Sequence, residues 1–169
     1  MSNLDLSKLE IIKADKKILS SIDFDCGDDD LNEFLLKDSF ENIDNSLSTI
    51  FLCIYENEVV AFFSLSADSI EINDQLKIHY PVYPAIKIGR LAVHKDFQNM
   101  HIGTVIIQWI VGFCRYLRKY VGLRFLSVDA YNNVKTINFY ENNLFIGLES
   151  VKKKRNRRNI PMYRDICEK

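Results

Sequence analysis

A chain of 169 residues, 47% apolar and 27% charged, is long enough for one well-packed domain and too short for two ordinary ones. Its formal net charge of −1 gives no global attraction to nucleic acid, and no apolar run approaches the ~18 residues a membrane helix needs. Cys26, Cys53, Cys114 and Cys167 are scattered, without a CxxC pair or clustered histidines, and the N-terminus lacks a basic stretch followed by a hydrophobic one. These features argue against a zinc site, a disulfide framework and a secretory leader, and the expectation is a cytoplasmic protein with reduced thiols and no metal.

In chain order, Leu9, Ile11 and Ile12 predict a short first strand. Residues 24–35 read as a turn entering a helix, with an Asp among 28 to 30 as N-cap and Leu31, Phe34 and Leu35 as the apolar face. Cys26 in that turn is read as a packing residue, because the neighbouring carboxylates disfavour its thiolate. Residues 49–55 and 59–67 are β-rich runs around Glu56-Asn57-Glu58, a hairpin signal, and residues 69–72 extend the second run. From there to Ala85 an irregular segment is expected, with Pro81 and Pro84 imposing extended or turn geometry. Its Tyr80 and Tyr83 either line an acceptor pocket or cover the core, the second being favoured.

Ile86, Ile88, Leu91, Ala92 and Val93 then form a strand-like run, followed by a polar loop over residues 94–102. From Gly103 onward Ile106, Ile107, Ile110, Val111, Cys114 and Leu117 recur at helical spacing, and the helix is expected to end near Gly122. A strand that turns through a short loop into a helix presents unpaired N–H groups and the positive end of the helix dipole, which together bind phosphate. A strand over residues 125–130, a helix over 133–142 and a strand over 144–151 follow, then the basic run 152–158 and a last strand over 161–166. This order predicts one domain, residues 1–169, built as a single mixed α/β sheet covered by helices.

Leu91-Ala92-Val93 followed by Gln98-Asn99-Met100-His101-Ile102-Gly103 resembles the core motif of the GNAT superfamily of acetyl-coenzyme A-dependent N-acetyltransferases. That motif reads roughly Gln/Arg-x-x-Gly-x-Gly/Ala. Gln98 and Gly103 match it, while His101 stands at the first glycine, where histidine tolerates the left-handed region better than most residues. Residues 133–145 resemble the family pattern Asn-x-x-Ala-x-x-Phe-Tyr-x-x-x-Gly-Phe. The resemblance implies a twisted, mostly antiparallel sheet flanked by helices and acetyl-coenzyme A as co-substrate. Its pyrophosphate is expected on the backbone N–H groups of Gln98, Asn99, Met100, His101, Ile102, Gly103 and Thr104, and its pantetheine along Leu91, Ala92 and Val93. The resemblance also makes Asn133 a cofactor contact and Tyr140 the general acid. The oxyanion donor is expected to be the N–H of Leu91 or Val93. Leu144 replaces a glycine that usually ends the second helix, and Asn143 is expected to take over that left-handed cap.

No carboxylate lies on residues 86–93, so proton removal from the acceptor goes through water or an unplaced group, with His94 and Asp129 as candidates. Residues 24–35, 62–67 and 80–93 further look like the GNAT toxins of bacterial toxin–antitoxin pairs and their non-toxic relatives. The expectation is acetyl transfer to a primary amine, with the acceptor class open: charge balance mildly favours a small amine, the toxin resemblance favours aminoacyl-tRNA. The aminoacyl-tRNA acceptor comes with an antitoxin partner, and the alternative to an enzyme is a non-catalytic coenzyme A-binding or regulatory module; a homodimer stays open. The basic run 152–158 is read as a solvated hairpin tip before an RNA contact.

Overall fold

The computed structural model describes residues 4–72, 80–148 and 158–167. After a 3₁₀ turn (Leu6–Lys8) come β1 (Glu10–Lys13), α1 (Lys16–Leu19), α2 (Asp29–Glu33), a π-helical turn (Phe34–Asp38) and α3 (Ser39–Asp44). Then follow β2 (Thr49–Tyr55), β3 (Glu58–Ile70), β4 (Tyr83–Val93), a 3₁₀ turn (Lys95–Phe97) and α4 (Ile102–Leu117). β5 (Phe125–Tyr131), α5 (Val134–Asn142), β6 (Ile146–Gly147) and β7 (Asn159–Asp165) complete the described chain. The strand order is β1-β2-β3-β4-β5-β7-β6. Strand β4 runs parallel to β5, and the β1/β2, β2/β3, β5/β7 and β6/β7 ladders are antiparallel. The mixed, mostly antiparallel sheet flanked by helices that the sequence predicts is the fold. Two compact units can be separated, residues 1–66 with 89–108 and residues 67–88 with 109–169, the divisions falling inside β3, β4 and α4.

In the first unit, β2 and β3 join through Glu56 (φ 49°) and Asn57 (φ 70°), two consecutive left-handed residues that make a hairpin turn matched to strand twist. The core beneath them collects Leu19, Phe24, Phe34, Leu35, Ile50, Leu52, Phe62 and Ala92. Asp28 is the N-cap of α2, its Oδ1 accepting the Leu31 N–H at 3.1 Å. The helical run continues beyond the expected Leu35, through the π turn into α3, with buried Ser39 Oγ donating to the Leu35 carbonyl at 2.6 Å. Helix α1, capped by Asp15, is a single turn and too short for periodicity to reveal.

In the second unit, β5 lies parallel to β4 over Ala85–Ile88 and antiparallel to β7 along its whole length. Tyr83 and Phe125 meet edge-to-face at 5.6 Å in a small core with Ile70 and Ala85, so Tyr83 is a core residue. Its hydroxyl accepts the Tyr80 N–H at 3.2 Å, while the Tyr80 ring is exposed. Pro84 corrects the sequence reading, because it lies inside β4. Near the start of a strand its missing N–H does little harm, and its carbonyl still accepts from Arg124 N–H at 3.0 Å. Helix α4 buries its predicted face but ends at Leu117 rather than near Gly122, leaving through turns such as Val121 N–H to Leu117 O. The strand expected over 144–151 reduces to the two-residue β6; its residues 149–151 and the basic residues 152–157 lie outside the described residues. No helix among the described residues is long and apolar enough to cross a membrane.

Candidate functional site

The loop between β4 and α4 is shaped by side chains that turn inward. Gln98 donates its Nε2–H groups to the Cys26 carbonyl at 2.8 Å and the Val93 carbonyl at 3.1 Å. Lys95 donates its backbone N–H to Asp25 O at 2.9 Å and its ammonium to Asp25 Oδ2 at 2.7 Å. Asp25 also accepts from the Gly27 N–H and Asn32 Nδ2, and these donors, led by the Lys95 ammonium, hold its carboxyl well below the usual range. The side chain of Gln98 is therefore a clamp on the loop, which leaves its backbone N–H as the group to offer a ligand. Sequence patterns did not show this clamp, since its partners stand 70 and 72 residues apart.

Beyond the clamp, Asn99 (φ 63°) and His101 (φ 62°) both take the left-handed conformation. His101 thus adopts the backbone that the expected glycine would, and its ring is exposed. Left-handed residues in a tight loop turn neighbouring N–H groups toward one concavity. The Val105 N–H makes a first-turn bond of α4, to His101 O at 3.1 Å. The amides of Ile102, Gly103 and Thr104 precede it and have no intrahelical partner of their own. The residues present fit a pyrophosphate: backbone donors and a helix dipole, with no acidic side chain in the first turn.

Upstream, β4 continues from Gly89 to Val93 past the end of its ladder with β5. Backbone groups on that edge are not taken by β5, as an extended pantetheine and an oxyanion donor at Leu91 or Val93 require. Ala92 is buried in the core, while Leu91 and Val93 are half-buried. Cys26 is buried too, with Sγ 3.1 Å from Asn32 Oδ1, and burial above all raises its thiol. It is a packing residue.

In the second unit, α5 starts at Asn133, whose Oδ1 accepts the Thr136 N–H at 2.8 Å. Its amide Nδ2 remains the donor available to a ligand. Tyr140, 6% exposed, packs its ring on Phe139 at 5.0 Å and Phe145 at 5.2 Å. Burial pushes its phenol far above the ordinary value, so the hydroxyl keeps its proton at neutral pH.

The end of α5 fixes where Tyr140 sits. The Leu144 N–H donates to Glu141 O at 2.9 Å and the Phe145 N–H to Tyr140 O at 3.0 Å, the paired bonds of a Schellman cap. The left-handed position is Leu144 (φ 65°), not Asn143 (φ −99°), which corrects the expectation from sequence. Asn143 is held otherwise: its Nδ2 donates to Phe139 O at 2.8 Å, and buried Arg164 donates to its carbonyl at 3.0 Å. Leu144 is 68% exposed, so its side chain gains little from burial while its backbone is strained. Leu144→Gly is expected to raise the unfolding free energy by about 1 kcal/mol in urea denaturation. A loss of stability would show that the leucine side chain is needed.

Each candidate base is engaged at one atom. His94 Nδ1 accepts the Asp96 N–H at 3.3 Å, and its ring packs against Phe24 and Phe97. Asp129 takes a 2.6 Å hydrogen bond from Lys87 Nζ.

These features stand in a chain whose residues 16–144 match the model of the acetyltransferase (GNAT) family. A curated relative, the tRNA-acetylating toxin of Mycobacterium tuberculosis, is 27% identical over 111 residues, 63% of this chain and 67% of that protein. Among solved structures, AtaT complexed with acetyl-methionyl-tRNAfMet superposes with a TM-score of 0.74 at 23% identity, covering 90% of this chain and 92% of that one. A tyrosine-to-phenylalanine mutant of AtaT bound to the C-terminus of its antitoxin AtaR and acetyl-CoA gives 0.72 at 20% identity, covering 95% and 94%. At these identities the structural likeness is one of fold, and the family match carries the assignment. The chain belongs to the acetyltransferase (GNAT) family.

Proposed function

We propose that this acetyltransferase transfers acetyl from acetyl-coenzyme A to the α-amino group of aminoacyl-tRNA, with Tyr140 as general acid. The observation that carries this reading is that, among the described residues, the two candidate bases are already engaged. Residues 86–93 hold no carboxylate, His94 Nδ1 is engaged, and Asp129 is paired with Lys87. An alkyl amine with a pKa of about 10.4 is almost wholly protonated at neutral pH and needs a base to attack. An α-amino group, at about 7.7–8.0, supplies neutral amine without one. The chemistry of this site therefore favours the aminoacyl acceptor over the alkyl amines of the small-amine class, the two acceptor classes that the sequence alone left open. The names of the tRNA-acetylating relative and of the AtaT–tRNA complex point the same way.

Acetyl-coenzyme A supplies an activated acetyl thioester. The N–H groups of Gln98 to Thr104 bind its pyrophosphate, and Asn133 Nδ2 adds a polar contact. A backbone N–H at Leu91 or Val93 stabilises the oxyanion. Tyr140 gives its proton to the departing sulfur, the attacking nitrogen loses its extra proton to water, and water restores the phenol. Its raised pKa suits that task, because a thiolate in equally dry surroundings is also strengthened as a base. Within this protein burial alone pushes the Cys53 thiol up to about 11 and that of Cys114 to about 12. An antitoxin protein is the partner this reading implies, as AtaR is for AtaT. The cytoplasm, where charged tRNA is found, is its place of action, and residues 1–169 act as one domain.

Acetyl transfer from radiolabelled acetyl-coenzyme A to methionyl-tRNA, to free amino acids and to alkyl amines tests the proposal. Charged tRNA is expected to give the highest kcat/KM by orders of magnitude. An alkyl amine that matched it would sink the aminoacyl reading.

A further inference from the structure

Helix α4 and the turn after it carry a row of aromatic side chains that the mechanism does not use. Trp109, Phe113, Tyr116 and Tyr120 recur every three or four residues, which lines them along one helix face. Trp109 and Phe113 stack with centroids 5.3 Å apart, and Tyr116 and Tyr120 follow at 5.5 Å with hydroxyls 3.4 Å apart. The first two rings are half-buried, whereas Tyr116 is 53% and Tyr120 74% exposed. Large aromatic rings left in water beside one another mark a binding surface more often than a failure of packing.

The charges next to the row in sequence have one sign. Lys119 Nζ lies 5.6 Å over the Tyr116 ring, with Arg118 next to it in sequence, and neither makes an ion pair among the described residues. From Asp96 to Asp129 the chain contains no other Asp or Glu. Residues 23–44 hold the opposite balance, with nine carboxylates against Lys37. The net charge of −1 therefore hides a segregated distribution.

We infer that this face docks the RNA of the acceptor, with bases stacking on Tyr116 and Tyr120 and phosphates meeting Arg118 and Lys119. The inference rests on the aminoacyl-tRNA reading and adds to it where the tRNA is held. Exposed π-faces interleaved with unpaired cations answer the two features that every RNA strand offers, bases and a polyanionic backbone. A second copy of this chain is the poorer occupant. A two-fold contact through this face would bring Arg118 and Lys119 toward their own counterparts, where like charges repel.

The test measures binding of fluorescently labelled deacylated tRNA to the full chain across a series of salt concentrations. Tyr116→Ala with Tyr120→Ala is expected to weaken binding by roughly ten- to a hundredfold with the salt slope unchanged. Arg118→Gln with Lys119→Gln is expected to flatten the slope of log Kd against log salt by roughly one and a half. Acetyl-coenzyme A binding and acetyl transfer to methionine methyl ester should stay at parental values in both. If both variants bind tRNA like the parent and acetylate methionyl-tRNA with parental KM, the docking surface is overturned and the acceptor reading stands. If the parent neither binds tRNA nor acetylates methionyl-tRNA yet acetylates a small amine, the acceptor reading falls and takes the docking surface with it. A change in oligomeric state, or loss of an acidic protein partner, with tRNA affinity intact would assign the face to a protein contact and overturn the inference.

Discussion

Tyr140→Phe is expected to lower kcat by roughly 10²- to 10⁴-fold, the usual worth of a positioned general acid. Acetyl-coenzyme A affinity should change little, because the substitution removes one hydroxyl and keeps the ring packed on Phe139 and Phe145. The pH dependence makes the result specific. Burial raises the phenol pKa above its ordinary value near 10, so the parent should keep its acid form across the neutral and mildly alkaline range. On the aminoacyl reading its rate should then rise as the acceptor α-amine loses its proton, at about 7.7–8.0, with no falling limb below about pH 10. Stability follows the same sign. A group whose folded pKa is raised contributes fully below its unfolded value, and that contribution is lost as pH climbs. The parent should therefore lose stability relative to Tyr140→Phe only above about pH 10. Unchanged kcat in the phenylalanine variant would remove Tyr140 from the proton path.

Gly103→Glu should abolish acetyl-coenzyme A binding, by roughly a thousandfold or more in calorimetric titration. Two unit charges about 4 Å apart at an effective dielectric near 20 repel by about 4 kcal/mol, and a carboxylate at the second position of α4 would face the pyrophosphate at about that range. The same carboxylate is favourable for the helix itself, since the first turn of α4 holds no acidic residue and its dipole end is positive. The variant should thus unfold at a temperature no lower than the parent. Lost affinity with preserved stability locates the anion site at this helix start. Retained affinity would place the coenzyme elsewhere, and a collapse of stability would show that Gly103 is needed for packing.

What could be read from sequence followed from how local each determinant is. The hairpin at Glu56-Asn57, the N-cap at Asp28 and the buried face of α4 depend on neighbours within a turn or two, so residue type and spacing sufficed. His101 was legible for the same reason, because its tolerance of positive φ belongs to the residue. Leu144 was not. Local preference assigns the left-handed place to Asn143, but that asparagine is fixed by the carbonyl of Phe139 and by Arg164 from β7, and the strain moves one residue on. Pro84 misled in the same way, because its position at the opening of β4 suits a residue without an N–H. The Gln98 clamp and the Lys87–Asp129 pair join segments tens of residues apart, and no local pattern encodes them.

The Arg164 contact has a consequence for the order in which the chain becomes fixed. Helix α5, which carries Tyr140, is complete at Asn142, yet the cation that grips its final turn belongs to β7, which also supplies the antiparallel partner of β5 along Phe125–Tyr131. A nascent chain stopped short of residue 164 would lack that grip, and Tyr140 would ride on a loosely held helix end.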